Sequence, residues 1–182
     1  MATVSLSELL GSTVYDASGA PSGRVREVAL VPQDDRSRVA LLIVKTPAGN
    51  RMLPLTSVSR INGGFRASTA AAEWTPADGS EGLLLLSRDL LDQQVIDVHG
   101  RKVVRVNDVD FYHDVAHDHA VLKVGGVDVG ARGAIRRLLK GMVPAVALRA
   151  LLLRIPPRDI PWDFVDLIET DPARRVRLKI SH

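Results

Sequence analysis

Residues 9–28 read LLGSTVYDASGAPSGRVREV, and residues 90–109 read LLDQQVIDVHGRKVVRVNDV. At an offset of 81 the two stretches align without a gap over their whole length. Leu9-Leu10 falls on Leu90-Leu91, Val14 on Val95, Asp16 on Asp97, Gly19 on Gly100, Arg24-Val25 on Arg105-Val106, Glu27 on Asp108 and Val28 on Val109. Further along, Leu41 and Ile43 meet Leu122 and Val124. The shared pattern is LL-x3-V-x-D-x2-G-x4-R-V-x-[ED]-V. A repeat of this length means one supersecondary unit used twice.

Each part of the unit has a physical reading. Asp-x-x-Gly is a turn, the Asp accepting from backbone N–H groups and the Gly free to take positive φ. Gly23 to Val31 alternates apolar and polar residues as a half-buried strand does. The polar run Gln33 to Ser37 turns the chain, and Val39 to Lys45 returns as a second apolar strand. Another strand is predicted near Asn50 to Pro54, and a last short one near Phe65 after Leu55 to Ile61. Short strands joined by tight turns at regular spacing predict a small barrel.

The second copy follows this plan through Val124. Ile160-Pro161-Trp162-Asp163-Phe164-Val165 then matches the stretch from Met52 to Val58 only if the offset grows to 107, leaving about 26 inserted residues. The predicted organisation is a first module over residues 1–68 (its framework 5–68), a linker over 69–84, and a second module over 85–182 (its framework 86–180). A helical insertion at about 131–154 belongs to the second module. Trp74 in the linker is expected to pack on a module.

Composition narrows the function classes. Of the 182 residues, 46% are hydrophobic and 4% aromatic, so a core can form and must be aliphatic. There is no cysteine, which excludes disulfides, thiolate metal sites and a cysteine nucleophile and fits a reducing cytoplasm. No secretory leader and no bilayer-length apolar run are legible, so the expectation is a soluble, cytoplasmic chain. The net charge of +3 is uneven: residues 131–158 carry seven cations and no acid, leaving −4 for the rest. Basicity confined to one segment argues against a general nucleic-acid binder, and scarce aromatics argue against single-strand stacking.

The Leu-Leu, V-x-D-x-x-G and R-V-x-[ED]-V elements, present twice, resemble the PRC-barrel. That small β-barrel occurs in the photosynthetic reaction-centre H subunit and the ribosome-maturation factor RimM. The resemblance covers most of the chain and implies a mainly β fold of two tandem barrels. The ending, Ile160-Pro-Trp-Asp-Phe-Val-Asp-Leu-Ile168 and Val176-Arg-Leu-Lys-Ile-Ser-His182, is similar to the tandem PRC region found upstream of MgtE-type N-terminal and CBS domains. It implies a bacterial, magnesium-transport-related protein, with the MgtE-type domain following His182 and serving as partner. The RimM likeness implies the alternative of a ribosome- or RNA-associated factor.

Two clusters are candidates for function. Asp108, Asp110, His113, Asp114, His117 and His119 are the densest group of ligand types. Imidazole with carboxylate suits Zn, Ni or Mn, and carboxylates alone suit Mg. The repeat places them on a strand end and hairpin turn, where Asp collects for backbone reasons. Alternation sends Asp108 and Asp110 to one face and Val109 and Phe111 to the other. A divalent-metal sensor and a solvated hairpin are the two readings of this stretch, with no other cofactor expected.

The insertion is the second cluster. Ile135, Leu138 and Leu139 share one helix face, and Arg132, Arg136 and Lys140 lie on another. With Arg137, Arg149 and Arg154 these cations form a candidate partner or lipid surface. The plainer reading is a helical hairpin laid over the second barrel with its arginines solvated. No phosphate loop, nucleophile elbow or H-E-x-x-H motif is present, and the repeated Asp16 and Asp97 lie in separate modules. The expectation is a non-catalytic, protein-binding or regulatory module, with a homodimer or peripheral membrane contact as further partners.

Overall fold

The computed structural model describes residues 2–79, 81–116 and 119–167 and is mainly β. In chain order the first copy runs β1 (Ala2–Ser5), α1 (Leu6–Leu9), β2 (Thr13–Tyr15), β3 (Pro21–Leu30), β4 (Val39–Thr46), β5 (Gly49–Pro54), β6 (Val58–Ile61), β7 (Gly64–Ala67) and β8 (Thr75–Pro76). The second runs β9 (Leu84–Leu85), α2 (Leu86–Asp89), β10 (Gln94–Asp97), β11 (Lys102–Arg105), β12 (Asp108–Ala116), β13 (His119–Asp128), α3 (Ala131–Leu139), α4 (Ala145–Leu152), β14 (Asp159–Pro161) and β15 (Val165–Leu167).

The turns follow the chemistry read in the sequence. Asp16 Oδ1 accepts from Ser18 N and Ala20 N at 2.9 and 3.1 Å, and Asp97 Oδ1 accepts from Gly100 N at 2.8 Å. The two short helices end on a left-handed residue, Gly11 (φ 80°) in one copy and Asp92 (φ 64°) in the other. The offset of 107 also holds: Pro54 and Pro161 each precede a single 3-10 turn, Leu55–Ser57 and Trp162–Phe164, that leads into β6 and β15.

Three sheets form, ordered β1-β12-β13-β14, β11-β10-β15 and β6-β7-β2-β3-β4-β5-β8, with β9 joining β3. None of them closes into a barrel among the described residues. Part of the segment 69–84, expected as a linker, is built into the first copy: β8 (Thr75–Pro76) pairs with β5, and Trp74 is buried.

The copies are not side by side. β1 of the first copy pairs with β12 of the second, Val4 opposite Phe111 and Ser5 opposite Asp110. Conversely β9 of the second copy pairs with β3 of the first, Leu85 opposite Ala29 and Leu84 opposite Leu30. Each copy has lent its leading strand to the other. One apolar cluster therefore spans both, joining Val14, Val28 and Leu42 to Val95, Phe111 and Leu122. A small second cluster, Ala29, Ile43 and Leu85, covers the far face of β3. Burial on both faces is why Glu27 to Leu30 breaks the alternation seen earlier in the strand.

Candidate functional site

The acidic position of the repeat motif secures the exchange. Asp108 accepts from Ser7 N at 3.1 Å through Oδ1 and from Ser7 Oγ at 2.5 Å through Oδ2, so the second copy holds the first copy's α1. Glu27 accepts from Ser87 N at 2.7 Å through Oε1 and from Arg88 N at 3.1 Å through Oε2, so the first copy holds α2. Each acid also takes the N–H of the residue after it, Val109 and Val28. The bonds satisfy amides at a helix start that have no partner within the helix. Burial raises the pKa of both acids above the ordinary carboxylate value. Ser7 and Ser87 escape the alignment because they stand at an offset of 80, one residue short of the register that follows.

Asp108 is also the first member of a charged cluster under the insertion. α3 crosses β12 and β13 at Gly133, the one buried residue of the helix, where a Cβ would lie 2.8 Å from Asp128 Cγ. One turn on, Arg136 reaches in: Nη1 lies 2.9 Å from Asp110 Oδ1 and 3.2 Å from Asp108 Oδ2, and Nη2 lies 3.9 Å from Asp128 Oδ2. The carboxylates of Asp110, Asp128 and Asp159 come within 4.8 Å of one another. Four carboxylates thus gather about one half-buried guanidinium. Burial, and behind it the neighbouring Asp159 charge, pushes Asp128 up to about 6. Asp159 is raised by burial and by Asp110. A cleft of about 320 Å³, lined by Thr3, Tyr112, Asp110, Arg132, Arg136 and Asp159, opens beside the cluster.

Two further cations fasten the insertion. Arg137 Nη2 donates to Asp92 Oδ1 at 2.7 Å, and this bond holds the Asp92 carboxyl below its ordinary value. Lys140 Nζ donates to the carbonyls of Ser7 and Leu10 at the end of α1, and burial lowers its pKa. Arg136, Arg137 and Lys140, expected on an outward partner or lipid surface, bond to the body of the second copy and to α1 instead. The reason is electrostatic: the acids of the body lie directly under α3. Arg132 is half-buried with its Nε unpaired, while Arg149 and Arg154 are exposed.

The metal candidates of the hairpin do not converge. Asp108 and Asp110 share a face, as alternation requires, and Val109 and Phe111 are buried on the other. His113 pairs with Leu122 on the buried face, while His119, opposite Ala116, shares the other face with Asp114. His113 and His119 thus lie on opposite faces of the sheet, and His117 lies outside the described residues. Asp128 and Asp159, which do meet Asp110, went unpredicted. Their signal was that they flank the acid-free basic segment on either side.

Two outward surfaces are largely apolar. On the β10-β11-β15 sheet, Val103 (57% exposed) pairs with Ile96, and Val98 N–H donates to the Phe164 carbonyl, so these four side chains share one exposed face. The first copy has Tyr15, Ala17, Ser22 and Ser57 at the equivalent positions. α4 is the second such surface, with only Leu152 buried. No helix among the described residues is long and apolar enough to cross a membrane. Compared with known proteins, the chain matches no family model, and a search of curated proteins finds no match.

Proposed function

We propose that this chain is a non-catalytic, protein-binding and regulatory module: a tandem PRC-barrel pair on the cytosolic side of a magnesium-transport-related protein with MgtE-type and CBS domains. The mainly β fold and the doubled motif support the family reading. The non-catalytic reading draws support from how the buried acids are used. Glu27 and Asp108 hold helix starts, and Asp108, Asp110 and Asp128 surround Arg136.

The observation that carries the binding reading is the difference between the copies. Ile96, Val98, Val103 and Phe164 are large and exposed where Tyr15, Ala17, Ser22 and Ser57 present smaller or more polar groups. Exposed apolar side chains gathered on one sheet face mark a contact surface rather than scattered chance. Beside them β11 is a sheet edge with no neighbouring strand among the described residues, to which a partner strand can add. Titration of the chain with an MgtE-type N-terminal and CBS fragment tests this by calorimetry. Saturable binding is expected, weakened at least about tenfold in Val103→Ser/Phe164→Ser with unchanged melting. A fragment that does not bind, or binds the double variant equally, sinks the reading.

A further inference from the structure

We propose that the outer face of the α3–α4 hairpin is a contact surface for an anionic phospholipid bilayer. This rests on observations separate from the sheet face above. α4 reads AVALRALL, yet only Leu152 is buried and Leu148 half-buried. A helix apolar nearly all round belongs in a core or against a second phase. Val146, Arg149, Ala150 and Leu153 follow one another at i, i+3, i+4 and i+7, so they share one face, and that face is exposed. Gly141 takes φ 78°, and the turn it makes carries Met142 outward at 78% exposure; Val146 is 82% exposed. Leu138 and Leu153 are comparably bare.

The charges decide which phase. Six of the seven cations of the insertion divide into two sets, the seventh, Arg132, being half-buried in the cleft. Arg136, Arg137 and Lys140 are consumed in holding the hairpin to the body. Arg149, Arg154 and Arg158 make no ion pair or side-chain hydrogen bond among the described residues; Arg149 shares the exposed α4 face with Val146 and Leu153, and Arg154 follows Leu153. Between residues 131 and 158 there is no acid to oppose them. The patch also has no aromatic anchor and no polar group besides guanidinium, whereas protein interfaces concentrate Tyr and Trp. Aliphatic side chains flanked by arginines match a bilayer surface, the former entering the headgroup–acyl boundary and the latter meeting phosphates.

The chain has no cysteine, so one introduced thiol labels uniquely. Val146→Cys and Ala17→Cys, the latter in an exposed turn of the first copy, carry an environment-sensitive fluorophore. Each full chain is mixed with vesicles of phosphatidylcholine alone or with one quarter phosphatidylglycerol. Blue-shifted, severalfold brighter emission is expected at position 146 with anionic vesicles only, and no change at position 17. Arg149→Gln/Arg154→Gln, with unchanged melting, lowers the partition coefficient about thirtyfold, from roughly fivefold per arginine. Three results overturn the proposal: no co-sedimentation with anionic vesicles; co-sedimentation with position 146 still in water; or self-association through this face that vesicles do not disperse.

Discussion

Asp108 carries more of this structure than any other single residue. It has no exposed surface, holds Ser7 with both oxygens and lies 3.2 Å from Arg136. Removing the guanidinium would strand Asp108 and Asp128 as buried, uncompensated acids. Arg136→Ala is therefore expected to lower the unfolding free energy by about 3–5 kcal/mol in denaturant titrations. Part of this loss should return at acid pH, where protonation replaces the missing cation. The intact cluster already contains a cation, so magnesium at millimolar concentration should leave the melting temperature of the natural chain unchanged. A rise in melting temperature would show that a metal displaces Arg136.

Asp128 gives the pH dependence its sign. Its folded pKa of about 6 lies above the ordinary 3.8, so the folded state binds more protons between these values. Stability from this group is fully present below about pH 4 and is lost as pH rises through about 6. Glu27, Asp108 and Asp159 shift in the same direction. Asp128→Asn keeps the Oδ1 that accepts from Gly130 N at 2.7 Å and removes the surplus charge. It should stabilise the chain by roughly 1–3 kcal/mol at pH 7.5 and flatten the decline between pH 4 and 6. An unchanged profile would show that Asp128 is already ionised without cost.

At the scale of elements, α3 and α4 are held by polar bonds more than by packing, since each contributes a single buried residue. Their hydrogen exchange is expected to be faster than that of the β12–β13 hairpin, which shares the common core. Gly133→Ala separates propensity from fit. Alanine favours a helix by about 1 kcal/mol over glycine, but here its Cβ would press on Asp128 and on Asp108 Cβ 3.1 Å away. Asp128 is fixed at a strand end, so the clash should win, lowering stability by about 1–3 kcal/mol and loosening the Arg136 contact. A more stable variant would mean that α3 shifts freely over the sheet.

The strands, their turns and the existence of the insertion were legible because each rests on local chemistry: alternation, Asp-x-x-Gly, and an acid-free amphipathic run. The direction in which the insertion's cations point was not. It depends on Asp92 and Asp108, whose nearness to α3 comes from tertiary pairing within the second copy, Asp108 standing opposite Asp128 just before the helix, and sequence spacing does not encode it. The hairpin histidines show the same limit. Residues 113 and 119 are six apart, which plain alternation puts on one face; the strand register, with His113 opposite Leu122 and His119 opposite Ala116, puts them on opposite faces.

For the whole molecule, the central claim is that duplication produced one interlocked body. Alignment revealed two copies but not that β1 and β9 change places, because an exchanged strand keeps its own sequence pattern and alters only its partner. Neither half owns a complete core, so residues 1–79 expressed alone should lack a cooperative melt, and adding residues 81–182 should restore one. Independent folding of either half would contradict the exchange.

The most direct test uses the chain's two tryptophans. Trp74 is buried against the first copy, and Trp162 belongs to the second while its Nε1 donates to the Arg36 carbonyl of the first at 2.9 Å. Trp74→Phe and Trp162→Phe leave one reporter each, followed by fluorescence through a denaturant titration beside circular dichroism. An interlocked body predicts that, within each variant, fluorescence and circular dichroism give the same midpoint and the same slope. A fluorescence transition separate from the circular dichroism transition in either variant would mean that the copies unfold as independent modules, and the account would fail.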